Sequence, residues 1–308
     1  MKRITLHRTL AVLLAALLLC LPLAALAEEE EIYTENEWNY VDGSMDVSQG
    51  IPQNAQGVLG LIRERGVLRV ATEPYFPPQE FIDPAHTGQE QYVGSDMELA
   101  RLIAARMGVE LEIVPMEFTE VLNAVSSGEC DLAISALSYI PSRAARVSFS
   151  KGYFFTDSPT GASLMIREAD LGKINGPDDL GNKTIIAQIG SVQELLLAQN
   201  VTRYREFRRV NSMQNVYQAL RRGKADAAAV DERSAQVYIN NNPDSHLALV
   251  PDVHFALEDY MNGDRVAGAK GEFQLMYFVN GVIDEVLSGG TYQQWYETYE
   301  AYAGTLGM

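Results

Sequence analysis

The segments AVSSGECDLAIS (124–135) and ALRRGKADAAAV (219–230) align over their whole length, displaced by 219 minus 124, or 95 residues. Each reads as a helix end, a glycine, a short link, an aspartate and a buried strand. Two explanations fit the echo: any βαβ chain reuses this grammar, or the molecule is pseudo-symmetric. Both imply two similar α/β halves, which the flanking segments extend. In the first half VLRVAT (67–72) and VELEIV (109–114) read as strands. GSDMELARLIAARMG reads as a helix with a Ser95/Glu98 capping box, an apolar face of Met97, Leu99, Leu102, Ile103 and Met107, and a stop at Gly108. TEVLNAVSSG predicts a helix ended by Gly128, and DLAISAL (131–137) a fully buried strand. In the second half NKTIIAQ, YREFRRV and ADAAAVD read as strands, with helices in GSVQELLLAQ and NSMQNVYQALRRG. Alternating strands and helices predict an α/β fold with mostly parallel sheets.

The first 27 residues stand apart. MKRITLHR is basic, TLAVLLAALLLCLPL is apolar, and ALA precedes Glu28 as a signal peptidase site requires. The apolar run is short, holds Pro22 and is followed by acid, which disfavours an uncleaved anchor. Cys20 lacks the small residues expected before a lipidated cysteine. Cleavage removes Lys2, Arg3 and Arg8, so the 24 basic residues become 21 against 41 acids, a net charge of −20. A protein so acidic repels phosphate backbones, which argues against nucleic acid and for an exported, soluble molecule. Residues 28–57 are acidic and aperiodic and read as a tether or loosely docked extension, onto which Trp38 and Tyr40 could fold back. After cleavage Cys130 alone remains, so no intramolecular disulfide forms, and a buried, inert thiol is expected. Four scattered histidines offer no metal site of usual spacing, and no cofactor is expected.

In open parallel sheets ligands sit beyond the carboxyl ends of the strands, and pockets favour the seam between domains. Ser135 and Ser138 end a strand of the first half, and Asp231 ends its counterpart in the second. Arg143 follows in SALSYIPSR, where its guanidinium could grip a carboxylate with two parallel hydrogen bonds; an exposed loop arginine is the alternative. Ser191 and Val192, at the turn QIGSVQE, begin a helix whose free amides favour an anion, although a serine N-cap explains the pattern equally. Asp231 could hold an ammonium or cap the next helix. Glu73, Phe76 and Phe118 complete the set, the rings as walls or as core. Facing groups of opposite charge match a free amino acid, which carries one carboxylate and one ammonium.

Five blocks, GVLRVATEPYFPP, GSDMELARLIAARMGVELEIV, VLNAVSSGECDLAISALSYIPSRAARVSFSKGYFF, DDLGNKTIIAQIGSVQE and ALRRGKADAAAVDERSA, carry a further signal. In order and spacing the chain resembles the family 3 bacterial extracellular solute-binding proteins, the amino-acid receptors of ABC importers. The resemblance runs from about Gly66 to GTYQQWYETY. It implies two lobes, residues 58–154 with 264–308 and residues 155–263, joined by two crossing segments and closing by hinge motion. It further implies a monomer, secreted to the periplasm or the cell surface, that delivers its ligand to a membrane permease. By that resemblance Arg143 holds the ligand carboxylate with Ser138 and the Ser191 helix end, Asp231 takes the ammonium, Phe76 and Phe118 are walls, and Glu73 senses the side chain. Three departures bear on side-chain specificity: Ser95 stands where an aromatic is usual, Val192 where a second hydroxyl is frequent, and SYIPSR varies a common threonine. Two rivals stand beside this reading: a ligand-sensing receptor subunit, which would signal only through a partner, and an enzyme, since a few proteins of this architecture are dehydratases acting on prephenate-like acids. For these Glu73, Asp231 or Glu232 could serve as acid or base. SFSK (148–151) fits S-x-x-K but follows a strand and loop where that motif needs a helix.

Overall fold

Strand and helix alternate as the periodicities predict in the computed structural model, which describes residues 40–155 and 160–308, all within one compact unit. The first half holds α1 (Gly57–Arg65), β1 (Val67–Thr72), β2 (Tyr75–Phe76), β3 (Glu80–Ile82), β4 (Tyr92–Val93), α2 (Ser95–Met107), β5 (Glu110–Pro115), α3 (Phe118–Ser127), β6 (Leu132–Ala133), α4 (Pro141–Ala144) and β7 (Val147–Phe154). Next come β8 (Thr160–Arg167), β9 (Thr184–Gln188), α5 (Val192–Asn200), β10 (Glu206–Val210), α6 (Met213–Arg221), β11 (Ala227–Val230), α7 (Glu232–Asn241) and β12 (Leu247–Ala256). The chain closes with β13 (Asp264–Ala269), α8 (Phe273–Ser288) and α9 (Thr291–Thr305).

Two five-stranded sheets result, β5-β1-β6-β13-β7 and β10-β9-β11-β8-β12. In each, one strand next to the edge runs against the other four: β13 in the first and β8 in the second. The chain enters the second sheet between Phe154 and Thr160 and returns between Ala256 and Asp264. The echo is therefore an architectural repeat, and its aspartates show what it is for. Asp131 accepts the Arg69 amide at 2.8 Å while its own amide donates to the Arg69 carbonyl at 3.0 Å. Asp226 does the same at Thr184, at 2.8 and 2.7 Å. Each aspartate locks the start of its central strand to the neighbouring one.

Left-handed glycines stop α2 and α3, Gly108 at φ 72° and Gly128 at φ 79°, as read from the sequence. Three expectations change. The Ser95/Glu98 capping box does not form: Gly94 is the N-cap, and Ser95 lies inside the helix, fully buried, donating to the Tyr292 hydroxyl at 3.0 Å. The strand expected over 131–137 pairs only at Leu132 and Ala133, because Ala136 takes a left-handed φ of 46° and steers the chain out of the sheet. From Tyr40 on, the stretch read as a tether is packed. Val41, Val47 and Ile51 join the first core, Val41 N donates to the Phe149 carbonyl, and the Asn280 amide donates to the carbonyls of Val41 and Gly43. Tyr40 meets Tyr139 edge-on with Arg265 over its ring, whereas Trp38, the leader and Cys20 lie outside the described residues. Cys130 is buried, and burial, with Glu129 and Asp131 beside it, pushes its thiol up to about 11, too high for a thiolate near neutral pH.

Candidate functional site

The carboxyl ends of β1 and β6 face those of β9 and β11 across a buried chamber in two compartments of about 80 and about 50 Å³. Phe76, Ala136, Ser138, Val192 and Gln193 wall both compartments. Glu73, Phe118, Ser135, Arg143 and Ser191 line the smaller, and Asp231 lines the larger. All nine residues expected from the sequence therefore meet around one space, contributed by both sheets.

Arg143 sits on the single turn α4, where Pro141 starts the helix. The residue is 9 % exposed, and its guanidinium donates to the Ser138 carbonyl at 2.9 Å and, across the cleft, to the Gly190 carbonyl at 2.7 Å. It lies 5.5 Å from the Phe118 ring centre. Two of five N–H groups are thus used, and the rest of the fork remains for a planar acceptor. Burial lowers its pKa to about 10, opposed by Asp264, so it is charged at neutral pH. Beside it stands the N-terminus of α5, where the amides of Val192 and Gln193 have no intrahelical acceptor. One end of the chamber thus offers several free N–H donors to an acceptor.

Two of the three serines around this end, Ser191 and Ser135, have their hydroxyl protons engaged within the protein. Ser191 donates to the Gln188 carbonyl at 2.8 Å and accepts the Glu194 amide at 3.0 Å, the N-cap alternative. Ser135 accepts the Glu73 amide at 3.1 Å and donates to Glu80 at 3.0 Å. A hydroxyl has one proton, and each is spent inside the protein. Ser138 contributes its carbonyl to Arg143 and a bridge to Asp264.

The other end carries acidic groups beside Arg233, whose guanidinium lies over the Tyr296 ring and pairs with Glu300 at 3.3 Å. Glu73, in the compartment of Arg143, is 3 % exposed, and the Gln188 side chain donates to it across the cleft at 3.1 Å. Burial, reinforced by Glu117 and resisted by that hydrogen bond, raises its pKa to about 8. Asp231 is the N-cap of α7, its Oδ1 accepting the Ser234 amide at 2.8 Å, so the capping role is realised while the same carboxylate faces the chamber. Burial raises its pKa too. Asp264, with Gln79 donating to it at 2.7 Å, lines the compartment beside Asp231, and burial lifts it to about 7. Asp264, Glu80 and Gln188 escaped the sequence reading. Asp264 follows a glycine in NGDR and looked like a boundary, Glu80 lies in the proline loop, and only the fold turns Gln188 toward Glu73. Of the enzyme candidates, Glu232 pairs with His254 at 2.9 Å, and in SFSK Lys151 pairs with Asp284 while Ser148 accepts the Gly271 amide.

The family model of the bacterial extracellular solute-binding proteins, family 3, matches residues 68–301, most of the chain. The chain belongs to this family. Among related family members, the L-cystine-binding protein TcyJ of Escherichia coli is 28 % identical over 77 % of this chain and 84 % of its own. The amino acid ABC transporter substrate-binding protein AbpA of Streptococcus pneumoniae, solved bound to L-arginine, is 31 % identical with a TM-score of 0.69, covering 78 % of this chain and 97 % of that one. A cyclohexadienyl dehydratase of Pseudomonas aeruginosa is 27 % identical over 62 % of this chain and 69 % of its own, so the family's neighbourhood includes an enzyme. Among the described residues no helix is long and apolar enough to cross a membrane.

Proposed function

We propose that this solute-binding protein captures one free α-amino acid between its lobes, residues 58–154 with 264–308 and residues 155–263, and delivers it to the membrane permease of an ABC importer. The observation that carries the reading is the opposed charge along one buried chamber. Arg143 and the first amides of α5 stand at one end, and Asp231 with Asp264 at the other. An α-carboxylate docks on the first pair and an α-ammonium on the second, with Phe76 and Phe118 packing between and around them. Glu73, in the compartment of Arg143, is the group assigned to the ligand's side chain, and a buried carboxyl in that role favours a polar or cationic one. The relatives that bind L-cystine and L-arginine support the same class. An exported monomer, freed of residues 1–27, fits the task.

A thermal-shift screen against the twenty amino acids tests the proposal. At a ligand concentration of 100 times Kd the native state gains about 2.7 kcal/mol, equal to a rise of roughly 5–10 °C for a chain of this size. No shift with any amino acid would overturn the reading. The dehydratase relative and the raised pKa values of Glu73 and Asp264 favour one alternative, general acid catalysis on a prephenate-like acid. Incubation with prephenate or arogenate, followed by absorbance of an aromatic product, separates the two.

A further inference from the structure

Under the chamber, in the first half, two carboxyl groups lie together with almost no access to water. Glu80, on β3, is 1 % exposed, and Asp96, in the first turn of α2, is 0 % exposed. The hydrogen bonds around them can be counted proton by proton. Asp96 Oδ2 accepts the Ala136 amide at 2.9 Å and the Tyr153 hydroxyl at 2.9 Å, and Oδ1 accepts the Tyr292 hydroxyl at 2.5 Å. Tyr292 itself accepts from Ser95, so its proton goes to Asp96. Three donors on two oxygens are the surroundings of an ionised carboxylate with one acceptor site left on Oδ1. Glu80 Oε1 accepts the Ser135 hydroxyl, whose single proton is thereby used. Among the described residues Glu80 Oε2 is fully buried with no hydrogen-bond partner, and the carboxyl group beside it is that of Asp96, since the two acids hold the consecutive residues Ser135 and Ala136. Two acceptor oxygens cannot face one another in a dry site without a proton between them.

We propose that Glu80 carries a proton at neutral pH and donates it from Oε2 to Asp96, and that this shared proton is what holds the chamber floor in shape. The pair works as positioning residues, and what it positions is explicit. Asp96 holds the Ala136 amide and so the left-handed turn that takes the chain from β6 toward Ser138. Glu80 orients Ser135, which in turn holds the Glu73 amide. Burial first, then Asp96 and Glu73, drive the Glu80 pKa well above the carboxylate range, while the tyrosines and the Ala136 amide restrain the rise at Asp96. The titratable groups facing the pair are Glu73 after β1, Tyr153 on β7, Asp264 on β13 and Tyr292 on α9. Burial holds both tyrosines protonated, as donors. Ionising Glu80 sets two like charges together in this site and removes the bond that closes the floor.

The test uses the unliganded, full-length mature protein, so its outcome is independent of which amino acid binds. Glutamine reproduces a protonated glutamate, with an acceptor for Ser135 and a donor for Asp96; alanine does not. Infrared difference spectra of wild type against Glu80→Gln at neutral pH are expected to show loss of a protonated-carboxyl C=O band. The melting temperature of Glu80→Gln is expected to match wild type at about pH 4, where the unfolded chain also holds the proton, to exceed it increasingly between about pH 5 and 9, and to lie above that of Glu80→Ala throughout. The readout that a merely structural role would not move is the altered pH profile. No loss of the acid band, or a Glu80→Gln protein as unstable as Glu80→Ala, overturns the proposal.

Discussion

Removing the Arg143 guanidinium separates binding from folding. In the proposed complex it makes two parallel, charge-assisted hydrogen bonds to the ligand carboxylate, each contributing about 1.5–3 kcal/mol. Their loss amounts to about 3–6 kcal/mol, a rise in Kd of roughly 100- to 20,000-fold. Arg143→Ala also frees the Gly190 carbonyl, so part of the loss is expressed as a more open cleft. Stability falls much less, because relief from burying a cation offsets the two bonds to backbone carbonyls. Arg143→Lys keeps the charge but not the fork, and recovers only part of the affinity. The assay is isothermal calorimetry with whichever amino acid gives the largest thermal shift, beside denaturant unfolding of the free proteins. An Arg143→Ala protein that binds with unchanged Kd would refute the assignment of the anion end, whatever its stability.

Three other outcomes follow from named contacts. Asp231→Asn is expected to weaken an amino acid by 10-fold or more while changing the affinity of its deaminated analogue little, since only the former presents an ammonium; calorimetry with the two ligands decides, and equal losses would place the ammonium elsewhere. Stability is expected to fall as pH rises from about 5 to 9: Glu73 at about 8, Asp264 at about 7 and Glu80 are all raised, so the native state holds protons that the unfolded chain has released. Denaturant midpoints across that range check it, and a midpoint that climbs with pH contradicts these three carboxyl environments. Gly281→Ala brings a methyl to 2.2 Å from the Met45 carbonyl oxygen and is expected to cost about 1–3 kcal/mol. Hydrogen exchange should then show lost protection at the Val41 and Met45 amides, and retained protection would mean that the segment is held by other contacts.

Periodicity and punctuation made most of the framework legible. Alternation of period 2 and 3.6, with glycine stops at 108 and 128, located helices and strands, because those signals act through local backbone geometry. The echo of 124–135 in 219–230 went further, since its aspartates make the same strand-locking bonds in both halves. Where the reading slipped, a tertiary contact outweighed a local signal. Ser95 has the pattern of a capping box, but the Tyr292 hydroxyl, 197 residues away, claims it. The acidic composition of 28–57 suggested a tether, yet Val41, Val47 and Ile51 find an apolar face to bury against.

By itself the sequence determined two α/β halves, an acidic chain, and the charged and aromatic residues that line the chamber, Arg143, Asp231 and Glu73 among them. Only the tertiary structure decided what each is free to do. Ser135 and Ser191 lose their protons to neighbours, Asp231 caps a helix while facing the chamber, and Asp264, Glu80, Asp96 and Gln188 enter from distant parts of the chain. The physical reason is that residue type sets how many protons a group can give or take, while burial and the partner across the cleft set which remain for a ligand.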